Sequence, residues 1–264
     1  MRRWIAGMIL FCSILLLSVS GYFLADMLLQ ERKDDVIQGQ LKKIYEDSEN
    51  EETEELSEGK ADDGDMGNRV GSPPVHPGLL ALHRKNPDCI GWIQIEGTVI
   101  DYPVMYRPSE ESYYLHRDFY GEYSANGCLF LSELCNPDTS DNLIIYGHHM
   151  NSGKMFAALD RYKDSAFYLE HPLISYNTLY GSETYQIFAV FCTPVYTGSD
   201  FPYYTFTKAE DAADYREYMK AVKERALYNT GISAVFGDKL LTLSTCEYSQ
   251  KNGRVVVMAK KISQ

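Results

Sequence analysis

Near its carboxyl end the chain carries Leu240-Leu241-Thr242-Leu243-Ser244-Thr245-Cys246, and Arg254 follows eight positions after the cysteine at the head of Arg254-Val255-Val256-Val257-Met258. A thiol attacks an acyl carbonyl as its thiolate, a form that a neighbouring cation favours, and a guanidinium can also hold a developing oxyanion. A third group lies 98 positions before the cysteine (246 minus 148), where the apolar run from Asn142 ends in Gly147-His148-His149-Met150. An imidazole titrating near ~6.5 can both give and take a proton near neutrality. Thiol, imidazole and guanidinium together suit nucleophilic acyl transfer. Packing alone also accounts for many strand-end cysteines, because free cysteine is among the most buried residue types. It is the arrival of the histidine that favours chemistry.

Each group needs an element to hold it. Leu241, Leu243 and Thr245 alternate with Leu240, Thr242, Ser244 and Cys246, which is strand periodicity with Cys246 at the strand end. Asn252-Gly253 is turn chemistry, so the Cys246 and Arg254 strands should pair as a hairpin and bring the two side chains together. Leu143 to His148 reads as another strand with the imidazole at its terminus.

These residues carry a resemblance. Thr242-Leu243-Ser244-Thr245-Cys246 with Arg254, together with Tyr146-Gly147-His148-His149-Met150, is similar to the motifs of a class B sortase. The likeness extends to Asn86-Pro87-Asp88-Cys89-Ile90-Gly91-Trp92-Ile93 and Gly127-Cys128-Leu129-Phe130-Leu131, and spans roughly residues 75 to 262. It implies a mainly β fold, an eight-stranded sortase-type β-barrel with short N-terminal helices and one longer helix inserted before the Cys246 strand. It also implies a cysteine transpeptidase that cleaves a C-terminal sorting motif of secreted proteins through a thioacyl intermediate and joins them to a peptidoglycan amine. Cys246 would be the nucleophile, Arg254 the backbone or oxyanion holder, and His148 the acid and base, because in the family's motif the histidine directly after glycine is the catalytic one. Ser244 and Thr245 would orient substrate, and Phe201 and Tyr203 lie in the loop where sortases line the substrate groove. The resemblance implies no cofactor.

Other functions compete. A papain-like protease also uses Cys and His, but places the cysteine first, whereas here the histidine precedes it. A membrane-anchored extracellular protease and a non-catalytic envelope-binding ectodomain share the anchor and barrel. A zinc site from Cys128, Cys135, His148 and His149 has a cysteine pair spaced too widely for the usual pattern.

Trp4 to Ala25 is an uncharged apolar run of 22 residues preceded by Arg2 and Arg3. At ~1.5 Å per residue it covers a ~30 Å hydrocarbon core, and the flanking charge puts the amino terminus in the cytoplasm. The expected organisation is a signal anchor over residues 1–29, a juxtamembrane segment and acidic disordered tether over 30–72, and a catalytic domain over 73–264 outside the membrane. Between Glu46 and Asp65 stand eleven acids and one Lys, net −10 of the chain's −12. Such a stretch has too little apolar surface to order itself. The acidic balance and lack of a basic patch exclude a nucleic-acid binder. Of six cysteines, Cys12 falls in the apolar run, leaving five, an odd number that keeps at least one thiol free. A Cys128–Cys135 bridge is conceivable.

Between these landmarks, Gly78 to Lys85 reads as a short helix stopped at Asn86-Pro87. Ala212, Tyr215, Met219, Val222 and Ala226 step by three and four behind a capping box, Thr207 to Glu210, which predicts the longer helix. The 21 tyrosines read mainly as half-buried packing.

Overall fold

The computed structural model describes residues 2–57, 76–110, 112–195, 198, 201–249 and 251–262. Its centre is a closed barrel of eight strands, β1 (Cys89–Gln94), β2 (Asp101–Met105), β3 (Leu129–Leu131), β4 (Asn142–Tyr146), β5 (Leu173–Thr178), β6 (Gly181–Pro194), β7 (Leu240–Glu247) and β8 (Gly253–Ile262). Around the barrel the order is β1-β2-β3-β4-β7-β8-β6-β5. Only β2–β3 and β4–β7 pair in parallel; the other neighbours are antiparallel.

Alternation in the sequence becomes inside and outside. Leu241 and Leu243 pack in the barrel core with Val255, Val257, Ile93, Ile145 and Ile187. The opposite face of the same strands, Leu240, Val256 and Met258, packs outward against Tyr215, Tyr218 and Val222 of a helix, α4 (Ala212–Arg225). Both faces of this hairpin are therefore buried, which explains its near-continuous apolar run. The tyrosines mostly pack, and Tyr162, Tyr176, Tyr185 and Tyr203 are among the largest fully buried side chains.

Three expectations are corrected. The cap of α4 is not Thr207. Asp211 is the N-cap, accepting from the amides of Ala213 (2.7 Å) and Asp214 (2.9 Å), while the carbonyl of Thr207 takes the amides of Asp141 and Asn142 and so pins the start of β4. Cys128 and Cys135 form no bridge: all six cysteines are free, Cys128 packing in the cluster beneath the N-terminal helix and Cys135 in the barrel core.

The third concerns residues 30–72. A single helix, α1 (Arg2–Ser57), runs through the apolar segment and beyond it, and Ile37, Leu41 and Tyr45 are buried in one cluster with Leu79, Leu82, Cys89 and Trp92. Their spacing of four places them on one helical face. Leu79 and Leu82 belong to α2 (Pro77–Lys85), which His76 caps at 3.5 Å from the Leu79 amide. Tyr45 stacks on Trp92 (4.4 Å) and His76 (5.2 Å), and its hydroxyl lies 3.1 Å from His76 Nε2. Chain beyond the apolar run thus contributes core rather than serving only as a solvated tether. The acidic residues beyond Ser57 lie outside the described residues.

Candidate active site

Parallel pairing of β4 with β7 sends the carboxyl ends of both strands to one mouth of the barrel. Tyr146 is the register partner of Ser244, and the Gly147 amide donates to the Ser244 carbonyl at 3.2 Å. Thr245 Oγ1 donates to the Gly147 carbonyl at 2.8 Å, locking the two strand ends. Antiparallel β8 returns to the same edge with Arg254 opposite Cys246. The hairpin turn uses Asn252 at φ 55°, the left-handed conformation that asparagine tolerates. Gly147 is required by close approach: a Cβ there would run into Leu129 and the Phe156 ring.

A cleft of about 300 Å³ opens at this mouth, lined by His148, Ser244, Thr245, Cys246, Arg254 and Tyr203, with Arg107 and Tyr113–Leu115 along the far wall. The structure brings together every site residue expected from the sequence except Phe201. That ring stacks on Tyr218 (5.4 Å), meets Phe191 edge-on (5.8 Å) and lies under the Arg225 guanidinium (4.5 Å), so it belongs to the packing beneath α4. Tyr203 is buried, with its hydroxyl 2.7 Å from Ser244 Oγ.

His148 is half-buried, and its Nε2 lies 2.7 Å from the Leu115 carbonyl. A carbonyl only accepts, so Nε2 carries the proton and Nδ1 remains for exchange. Burial pushes this imidazole below its ordinary 6.5; the Leu115 carbonyl opposes that, and His116, its ring 5.3 Å away, adds to it. His149 faces elsewhere. Its Nδ1 donates to the Cys246 carbonyl at 3.1 Å, its ring meets Tyr248 at 5.2 Å, and it lines a different depression.

The other barrel cysteines are held as thiols: burial pushes Cys89 up to about 12, Cys135 up to about 11, Cys128 well above its ordinary value, and Cys192 upward. Cys246 is the one cysteine that lines the cleft. Arg254 donates from Nη1 to the Gly253 carbonyl at 2.9 Å, and no carboxylate among the described residues pairs with it.

Two features escaped the sequence reading. The Leu115 carbonyl is a main-chain group that no side-chain motif marks. Glu247, directly after Cys246, is buried and accepts from Ser249 (hydroxyl 2.7 Å, amide 3.0 Å) and from Lys163 Nζ at 3.3 Å. Burial raises its carboxyl, but these donors outweigh it and hold the group below the usual range, fixing the turn after the cysteine. The four residues weighed for zinc are dispersed: Cys128 and Cys135 sit in separate core clusters, and the two histidines line different depressions.

A closed eight-stranded barrel that gathers a thiol, an imidazole and a guanidinium at one cleft holds the groups that cysteine acyl transfer needs. The family model described as "Sortase domain" matches residues 93–262. Sortase B of Listeria monocytogenes is 34% identical over 193 residues, covering 72% of this chain and 76% of that protein; Sortase B of Staphylococcus aureus is also 34% identical over 193 residues, covering 71% and 76%. Among solved structures, a Staphylococcus aureus sortase B–substrate complex superposes with a TM-score of 0.72 at 26% identity, covering 89% of this chain and 99% of that one. The chain belongs to the sortase family and is a cysteine transpeptidase of the sortase B type.

Proposed function

We propose that this sortase recognises the C-terminal sorting signal of secreted proteins, cleaves it through a thioacyl bond to Cys246, and passes the acyl group to an amine of a peptidoglycan precursor. The observation that carries the reading is the meeting of Cys246, His148 and Arg254 at one cleft, on the ends of β7, β4 and β8. In the first half-reaction the Cys246 sulfur attacks the scissile carbonyl, and the guanidinium of Arg254 receives the oxyanion or the neighbouring substrate carbonyl. His148, neutral at the start, takes the Cys246 thiol proton at Nδ1 as the sulfur attacks and hands it to the departing amine. In the second half-reaction the acceptor amine gives a proton to His148 as it attacks the thioester, and Cys246 leaves as thiolate. Ser244 and Thr245 line the same cleft, and the Tyr203 hydroxyl lies 2.7 Å from Ser244 Oγ.

Residues 1–29 form a signal anchor in this reading, with the barrel on the extracytoplasmic side. It is supported by one helix long and apolar enough to cross a membrane, whose apolar window is not buried in the protein. Retention of the chain in membranes washed with alkaline carbonate is the expected behaviour; release into the wash would oppose a single-pass anchor.

The deciding experiment incubates the protein with a sorting-signal peptide and an amine acceptor and follows mass. A thioacyl adduct on Cys246, then a transpeptidation product that rises with acceptor concentration, is expected, and Cys246→Ala should give neither. Hydrolysis indifferent to any amine would make the chain a protease. Undiminished turnover by Cys246→Ala would remove the mechanism.

A further inference from the structure

Exposure along α1 changes abruptly. Every side chain from Leu10 to Leu29 is exposed, whereas Gln30 and Glu31 are half-buried and Asp34, Ile37 and Leu41 are buried against the rest of the protein. The uncovered apolar run thus ends at the residue where the barrel begins to cover the helix, with no spacer between them. At a rise of ~1.5 Å per residue, residues 4–25 fill the ~30 Å hydrocarbon core, and residues 26–29 add about 6 Å, the depth of one headgroup layer. The docked face starts where the lipid ends.

Contacts along α1 therefore rank the parts of the barrel by their distance from the bilayer. Nearest to it is Lys154, held by Glu31 at 3.2 Å and Asp35 at 2.5 Å. Next comes the segment 117–124: Asp118 lies 3.6 Å from Lys33 Nζ, and Ser124 Oγ donates to Asp34 at 2.8 Å. Tyr45, at the far end of the docked face, is about 24 Å along the helix from Leu29. It contacts His76, whose amide donates to the Leu179 carbonyl at 2.9 Å. Between its two attachments the near segment turns back on itself, with Arg117 bridged to Tyr123 and Gly121 at φ 83°. Phe119 is buried there, but Tyr120 and Tyr123 are 51% and 62% exposed.

We propose that Tyr120 and Tyr123 seat in the headgroup layer of the membrane that α1 crosses, giving the barrel a second lipid contact beside its anchor. Tyrosine suits that layer, because its ring is apolar and its hydroxyl stays wet. Acids and bases mix at this end of the barrel, Glu31 and Asp35 with Lys33 and Lys154, so the rings rather than a field of one sign supply the contact. The contact rests on residues 1–29 being that anchor. Leu115, whose carbonyl holds His148, lies five residues before Tyr120. The far wall of the cleft, Tyr113–Leu115, is thereby held at the lipid surface, where a substrate still tethered in the membrane would arrive.

The test reconstitutes the full chain in phosphatidylcholine vesicles, with and without bromine on the acyl chains near the headgroup, and records tryptophan emission. In the natural chain the brominated lipid should quench Trp4; an unquenched Trp4 overturns the anchor and the contact that rests on it. In a Trp4→Phe background the remaining Trp92 is only 3% exposed and packs beside Tyr45, so an added tryptophan reports its own site. Tyr120→Trp and Tyr123→Trp should each be quenched severalfold more than Tyr180→Trp, a 62% exposed position beside Leu179 at the far end. An unchanged thermal midpoint certifies the fold of each chain, and having two positions keeps the test decisive if one substitution fails to fold. Quenching at 120 and 123 no greater than at 180, in vesicles that quench Trp4, overturns the contact and leaves the anchor standing.

Discussion

His148 presents Nδ1 for chemistry because its other nitrogen is committed to a main-chain carbonyl, and its surroundings favour the neutral ring. A histidine depressed below 6.5 takes up its proton more readily in the unfolded chain. Its burial therefore contributes stability that is full above that value and is lost as pH falls through the lower native one. The thermal midpoint should fall more steeply as pH drops below about 6.5 in the natural protein than in His148→Gln; equal slopes would show that this imidazole is not the depressed group. At Arg254 the expected loss is larger than charge alone would give. Lysine keeps the charge but not the planar fork, so Arg254→Lys should reduce kcat/KM on the order of a hundred- to thousand-fold, ~2.7–4 kcal/mol, the cost typical of one lost oxyanion donor. The reacting groups themselves were legible in the sequence because short motifs and strand ends carry them. Leu115 was not, since its contribution is a carbonyl, and Lys163 was not, since it reaches Glu247 from 84 positions away.

Elements position these groups by register. Gly147 sits where the chain leaves β4 with no room for a side chain, so Gly147→Ala should cost about 1–3 kcal/mol through overpacking and reduce kcat by shifting His148; a drop in stability with unchanged kcat would separate the two effects. Periodicity revealed the β7–β8 hairpin because both of its faces are buried, and Asn252-Gly253 marked its turn. It misplaced the start of α4, since a Thr to Glu spacing looks like a capping box whatever its carbonyls bind. Helical spacing of Val36, Ile37, Leu41 and Ile44 pointed to a short helix over residues 30–45, but not to its docking, because the apolar face of Ile37, Leu41 and Tyr45 is narrow and charged residues surround it. Fully buried Leu41 gives the direct check: Leu41→Ala should destabilise the protein by about 2–5 kcal/mol in denaturant unfolding. A chain starting at residue 30 should keep the natural thermal midpoint, whereas one starting at residue 73 uncovers Leu79, Leu82 and Trp92 and should melt lower.

At the scale of the whole molecule, the docking of α1 changes what the acidic stretch is. Tyr45 and His76 are in ring contact, so the two ends of the stretch between them lie side by side on the barrel. A protease cutting between them would leave the helix still docked by Ile37, Leu41 and Tyr45. The two pieces, one carrying the apolar helix and the other all eight strands, should remain a single particle on size-exclusion chromatography and part only in denaturant. Separation of the nicked pieces in native buffer would mean that the face of Ile37, Leu41 and Tyr45 is too weak to hold alone. With residues 1–29 anchored as proposed, a cut between Tyr45 and His76 would not release the barrel, and freeing it would require prying the helix off the core.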